Sequence, residues 1–172
     1  ITKMNYRDYF THYIFQKANM GDTGFYSMDE INENTAEGYK SIKNTAGQII
    51  GYKKNIYCYP PIGTPDGGAY TTAKDLNQFL SAIRNHVLLS EKYAEEILQP
   101  HCQFSHTANL GGIPGLSKKN GYGFEFLMSE HSKEPFCICK DGQNDGVAAK
   151  VSYYPEKNIS LVLLANQDCN VW

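Results

Sequence analysis

The feature that most constrains this chain is a change of hydrophobic period at residue 121. Downstream of it, Tyr122, Phe124, Phe126 and Met128 alternate with smaller or polar residues. Alternation with a period of two is the pattern of a half-buried strand. Three further strand-like runs follow, Phe136 to Lys140, Val147 to Tyr154 and Ile159 to Ala165, with Pro155-Glu156-Lys157-Asn158 as the turn between the last two. The connections are too short for parallel crossovers, so the four runs are expected to form an antiparallel meander. Ile159 to Ala165 is apolar on both faces, which predicts a central strand under a helix.

Upstream the period is helical. Asn5, with Asp8 three residues on, is a capping candidate, and Tyr6, Tyr9, Phe10, Tyr13 and Ile14 line one face until Asn19-Met20-Gly21. Thr72 with Asp75 forms a second capping-box variant, followed by Leu76, Phe79, Leu80, Ile83 and Val87 at helical spacing. Ser90 opens a short helix with Tyr93, Ala94, Ile97 and Leu98 expected inward, stopped by Pro100. The stretch 22–65 reads as loops with one short strand pair near Gln48 to Tyr59, and 101–120 reads as a surface loop. The expectation is an α+β fold: a helical and loop half over 1–119, then an antiparallel meander over 120–172.

Composition narrows the function classes. The 172 residues carry 16 basic and 18 acidic side chains, a net charge of −2. That balance argues against nucleic acid as the main partner. No apolar run approaches the ~18 residues of a membrane span. Cys58, Cys102, Cys137, Cys139 and Cys169 are an odd number in a chain long enough to fold without staples. His101, Cys102 and His106 could join Cys137 and Cys139 around zinc, but the spacing matches no finger or ribbon pattern. No metal site and no cofactor are expected.

The phosphate-cradling Gly-Lys-Ser/Thr loop, the dinucleotide glycine fingerprint, His-Glu-x-x-His and the Gly-x-Ser-x-Gly elbow are all absent. One stretch does suggest chemistry, Lys140-Asp141-Gly142-Gln143-Asn144-Asp145-Gly146. A lysine closing an apolar strand, followed by a glycine-bearing turn, puts an ammonium and free backbone N–H groups at a sheet edge. Such a group suits an anionic substrate or a developing oxyanion. A solvated hairpin turn is the plainer alternative.

Five segments, in order, resemble the serine β-lactamase and penicillin-binding-protein-like family, class C type. They are Met20-Gly21-Asp22-Thr23, Asn34 to Tyr39, Gly63 to Leu76, Gly121-Tyr122-Gly123-Phe124 and Leu163-Leu164-Ala165-Asn166. The resemblance implies a partial β-lactamase/transpeptidase-like fold. It places Lys140-Asp141-Gly142 at the family's third active-site motif, Lys-Thr/Ser-Gly. Lys140 would then supply positive potential and Gly142-Gln143 the backbone of the oxyanion hole, the N–H of Gln143 forming half of it. Asp141, Asn144 and Gly146 would border the substrate, with Asp141 standing where relatives carry a hydroxyl and opposing a substrate carboxylate. The family's nucleophile motif Ser-x-x-Lys and its Tyr-x-Asn or Ser-x-Asn are absent from all 172 residues. The resemblance therefore implies a piece of a longer hydrolase of β-lactamase, D-Ala-D-Ala peptidase or esterase type. Its partner would be a small-molecule or peptide substrate, and the piece is expected to be inactive alone. A non-catalytic binding module on the same fold is the alternative. An uncovered Ile159–Ala165 strand would further imply a homo-oligomer.

Overall fold

A computed structural model describes residues 2–56, 58, 60–103, 115–129 and 132–171. Six strands form one antiparallel sheet in sequence order: β3 (Cys102–Gln103), β4 (Leu116–Asn120), β5 (Glu125–Ser129), β6 (Pro135–Asn144), β7 (Val147–Tyr154) and β8 (Ile159–Ala165). The meander over the last third is thus observed. β1 (Tyr39–Lys43) and β2 (Ile49–Lys54) make a separate two-stranded ribbon.

The helices lie on one face of the sheet because their apolar stripes match its alternation. Leu80 and Ile83 of α2 (Ala73–Arg84) pack with Phe124, Phe126, Met128 and Ile138. Ile97 of α3 (Glu91–Ile97) and Val151 and Tyr153 of β7 close around that core. Phe126 is fully buried. Its burial alone contributes about 1.5–3 kcal/mol. The other side of α2 uses Ala82 to meet Phe15, Ala18 and Met20. Phe15 ends the π-helical continuation, Thr11–Phe15, of the first helix, α1 (Tyr6–Phe10), and Ala18 and Met20 follow in the turn after it. Asn5 caps that helix by accepting the Arg7 N–H at 2.9 Å, and Asn19 ends it with φ +56°.

The Thr72 cap forms half of the expected box. Thr72 Oγ1 accepts the Asp75 N–H at 3.1 Å. The Asp75 carboxylate, fully buried, instead accepts the Asp22 N–H and the Thr23 hydroxyl, both at 2.8 Å. At the other end of α2 the Arg84 guanidinium stacks 3.8 Å from the Tyr153 ring centroid.

Several local expectations are corrected. Among the described residues β8 is an edge strand rather than a central one, paired only with β7 and packed under α2 on one face. Its double-sided apolarity therefore did not report its place in the order. Tyr93 is 60% exposed, and Val87 lies beyond α2 and is exposed. Helical spacing marks a face, and at these short helix ends the face turns outward. Of the ribbon's strands, 49–54 falls within the expected range but its partner 39–43 lies upstream of it, and Tyr59 lies outside the described residues. Within the expected surface loop 101–120, Cys102–Gln103 and Leu116–Asn120 are strands, while 104–114 lie outside the described residues. β4 escaped notice because its Ser-Lys-Lys-Asn run is polar. Its pairing to β5 is supported by the half-buried Lys118–Glu125 ion pair.

Candidate active site

β6 continues as a strand through Asn144, so the loop to β7 is only Asp145-Gly146. Lys140, Gly142 and Gln143 therefore sit in a regular ladder rather than in a turn. On its other side β6 pairs with β5 only as far as Cys139, opposite Glu125. From Lys140 to Asn144 one backbone edge has no strand partner among the described residues.

The parity of the ladder determines which groups face that edge. A two-residue loop makes Asn144 and Val147 a hydrogen-bonded pair. Alternation then directs the N–H and C=O of Lys140 and Gly142 to β7, and those of Asp141 and Gln143 to the open edge. The N–H of Gln143 thus points to the open edge.

Side chains alternate as well. Lys140 shares the face of Ile138 and stands opposite Val151, on the helix side of the sheet. It is exposed. Asp141 lies on the other face, with its Oδ1 3.6 Å from Lys150 Nζ. Its carboxylate is thus separated from the Lys140 ammonium by the thickness of the strand. Asn144 is exposed at the end of β6. A Cβ built on Gly67 would lie 3.8 Å from Asn144 Nδ2, so the loop 63–68 stands beside this end of the strand. Thr64 and Gly67 exchange backbone hydrogen bonds within that loop, and Arg7 Nε donates to Gly63 O at 2.8 Å.

The two glycines differ. Gly146 has φ +81°, is buried, and donates its N–H to Asp168 Oδ1 at 2.7 Å. Gly142 has no positive φ, and a Cβ there would meet nothing closer than Ala149 Cβ at 4.0 Å. The fold does not require glycine at that position. A strand glycine with open space marks a place where a ligand can approach the backbone closely.

Behind this wall, on the Asp141 face, lie Cys137 and Cys139, both buried. The Cys139 thiol hydrogen-bonds Cys137 and holds it down to about 7, whereas the same contact, with burial, pushes Cys139 up. Among the described residues no group of three or more His, Cys, Asp and Glu is placed to hold a metal ion. His106 lies outside them.

Four of the five segments that carried the resemblance meet in pairs. Met20 to Thr23 is joined to the start of α2 through Asp75. Asn34 to Tyr39 is joined to the end of β8, with Tyr39 N–H donating to Asn166 O at 2.9 Å and Asn166 Nδ2 donating to Glu37 O at 3.0 Å. Asp168, which holds the β6–β7 turn, was missed at the sequence level. Its partners Ser41 and Gly146 are 127 and 22 residues away, and no local pattern links them.

A few helices backing an antiparallel meander match a partial β-lactamase/transpeptidase-like fold. The chain belongs to the beta-lactamase family, whose model matches residues 1–170. It is similar to the penicillin-binding protein from Bacillus halodurans, with 29% identity and a TM-score of 0.83 over 97% of this chain and 47% of that one. It is also similar to the octameric penicillin-binding protein homologue from Pyrococcus abyssi, at 20% identity and TM-score 0.75 over 96% of this chain and 34% of that one. A class C beta-lactamase mutant shares 17% identity, with TM-score 0.63 over 98% of this chain and 49% of that one. The chain thus spans half or less of the length of these structures. No curated protein matches it significantly in sequence. Among the described residues no helix is long and apolar enough to cross a membrane.

Proposed function

We propose that this chain forms the lysine-bearing wall of a serine hydrolase site, the nucleophile coming from a segment outside these 172 residues. The whole protein would acylate a serine with an ester or amide substrate, a β-lactam or peptide among them, and then hydrolyse the acyl-enzyme. The observation that carries this reading is the open edge of β6, where Gln143 presents its N–H, Gly142 presents no side chain, and Lys140 stands on the helix face. Lys140 supplies positive potential and the Gln143 N–H a fixed donor for the developing oxyanion. The Asp141 carboxylate, turned toward Lys150, leaves the Lys140 face free of negative charge from this strand.

The test compares the 172-residue chain with a longer product of the same gene that includes a Ser-x-x-Lys. The chain alone should neither turn over a chromogenic β-lactam or short-chain ester nor be labelled by a serine-directed phosphonate. The longer product should be labelled at that serine, and Lys140→Ala should slow its acylation by about tenfold or more. Stoichiometric labelling of one serine in the short chain, or unchanged acylation in Lys140→Ala, overturns the reading. A longer product that binds substrate without being labelled favours the binding module instead.

Self-association is proposed as well. Ile159, Leu161 and Leu163 are 55%, 44% and 38% exposed in a row on an edge strand, a template for pairing with a second copy.

A further inference from the structure

Beyond Cys139 the end of β6 has a single strand partner among the described residues, β7, which is itself backed by β8 up to Ala148 opposite Ala165. β6 is therefore the outer strand at this end and is held by the ladder from one side only. What fixes its turn bears on the direction that the Gln143 N–H keeps.

The structure supplies a clasp at the Asp145-Gly146 turn, built from three segments remote in sequence. Asp168 Oδ1 accepts the Gly146 N–H at 2.7 Å, while its Oδ2 accepts the Ser41 N–H at 2.8 Å and the Ser41 hydroxyl at 3.0 Å. Gly146 O accepts the Tyr39 N–H at 3.1 Å. Asn55, only 2% exposed, donates from Nδ2 to Asp145 O at 2.9 Å. Lys40 pairs with the Asp145 carboxylate. The fit is close, since a Cβ on Gly146 would lie 2.9 Å from the Tyr39 backbone.

Only a carboxylate can serve at the centre of this clasp. It receives three donors on two oxygens, and charge strengthens each bond. An amide of the same shape offers one acceptor oxygen and turns an NH2 group toward one of the donors. The Gly146 N–H and then the Ser41 N–H hold the Asp168 carboxyl below the usual aspartate range, as donors to the ionised form do.

We infer that Asp168 is a positioning residue for the candidate active site. By gripping the turn it sets the β6–β7 ladder, and through the ladder the direction of the Asp141 and Gln143 N–H groups at the open edge. This inference rests on the reading of that edge as the oxyanion-binding wall. It acts through the backbone, so Asp168 itself touches no substrate.

The test has two arms. In the 172-residue chain, amide hydrogen exchange and chemical shifts are compared by NMR between wild type and Asp168→Asn. Exchange at Gly146 and Ser41 should quicken at least tenfold, and the Asp141 and Gln143 amide resonances should move, while Phe126 and Ile138 stay as they were. If only Gly146 and Ser41 respond, Asp168 is a local tie and the inference is overturned. Ser41→Ala, which removes one of the three donors, should give a smaller change at the same four amides and serves if Asp168→Asn does not fold. No change at Asp141 and Gln143 in that variant is equally adverse. In the longer product, Asp168→Asn should lower the acylation rate constant about tenfold with little change in apparent substrate affinity. Wild-type acylation retained in the variant overturns the positioning role. A wild type that is never acylated removes the catalytic reading, while the NMR arm still decides whether Asp168 orients the edge.

Discussion

Asp75→Ala should be among the most destabilising single substitutions in this chain. The carboxylate is fully buried on the first turn of α2. It accepts from the Asp22 N–H and the Thr23 hydroxyl at 2.8 Å each. The Gln78 amide, oriented with its nitrogen inward, donates to its second oxygen at 3.1 Å and to Asn19 O at 2.7 Å. Thr23 also shares a 2.8 Å hydrogen bond with Thr71. Alanine strands the Asp22 N–H and one Gln78 donor and leaves the Thr23 hydroxyl only Thr71, so three hydrogen bonds made to a charge are lost. Such bonds contribute roughly 1.5–3 kcal/mol each, and stranded donors cost about 1–3 kcal/mol. Relief of the desolvated charge and partial access of water offset some of that, which leaves about 3–4 kcal/mol net. For a chain of this size each kcal/mol lowers Tm by about 2–4 °C, so a fall on the order of 10 °C follows. Asp75→Asn keeps one acceptor oxygen and should cost roughly half as much. Urea denaturation followed by circular dichroism, fitted with a common slope, reads both values. A loss below about 1 kcal/mol for alanine would mean that the three contacts do not act together, and the account of how α2 is tied to residues 20–23 would fall.

Two further outcomes are expected. Titration of thiolate absorbance should show one step near pH 7, from Cys137, because the Cys139 thiol hydrogen-bonds it, and Cys139→Ala should move that step up toward the ordinary ~8.5. Over that interval the unfolded chain retains a proton the folded chain has released, so this group adds stability as pH rises through it and loses it as pH falls through 7. A step unmoved by Cys139→Ala would refute the pairing. Light scattering should find a dimer or larger species, with Leu161→Lys shifting it toward monomer because a charge on the β8 edge blocks strand addition. A compact monomer at high concentration would count against self-association.

What the sequence determined by itself is local or periodic. β7 and β8 have the expected bounds, because alternation with a turn between the runs is legible wherever one face is buried. α2 starts after Thr72 because its cap lies within three residues of the bond it makes. Lys140 was visible at the end of an apolar run, although the strand does not close there and continues through Asn144. The order of five family-like segments pointed to the fold that the family match and the solved structures bear out. Tertiary structure alone decided where the ladder stops. Whether Lys140 to Asn144 forms a turn or a strand depends on its pairing with β7, and whether that strand has an open edge depends on where β5 leaves β6. It also decided that Asp141 faces Lys150, since β6 runs four residues past Lys140 in regular alternation. The clasp on Gly146 was equally out of reach. Asp168, Ser41, Tyr39 and Asn55 carry no pattern in common, and they become neighbours only once the ribbon and the end of β8 are packed around one turn.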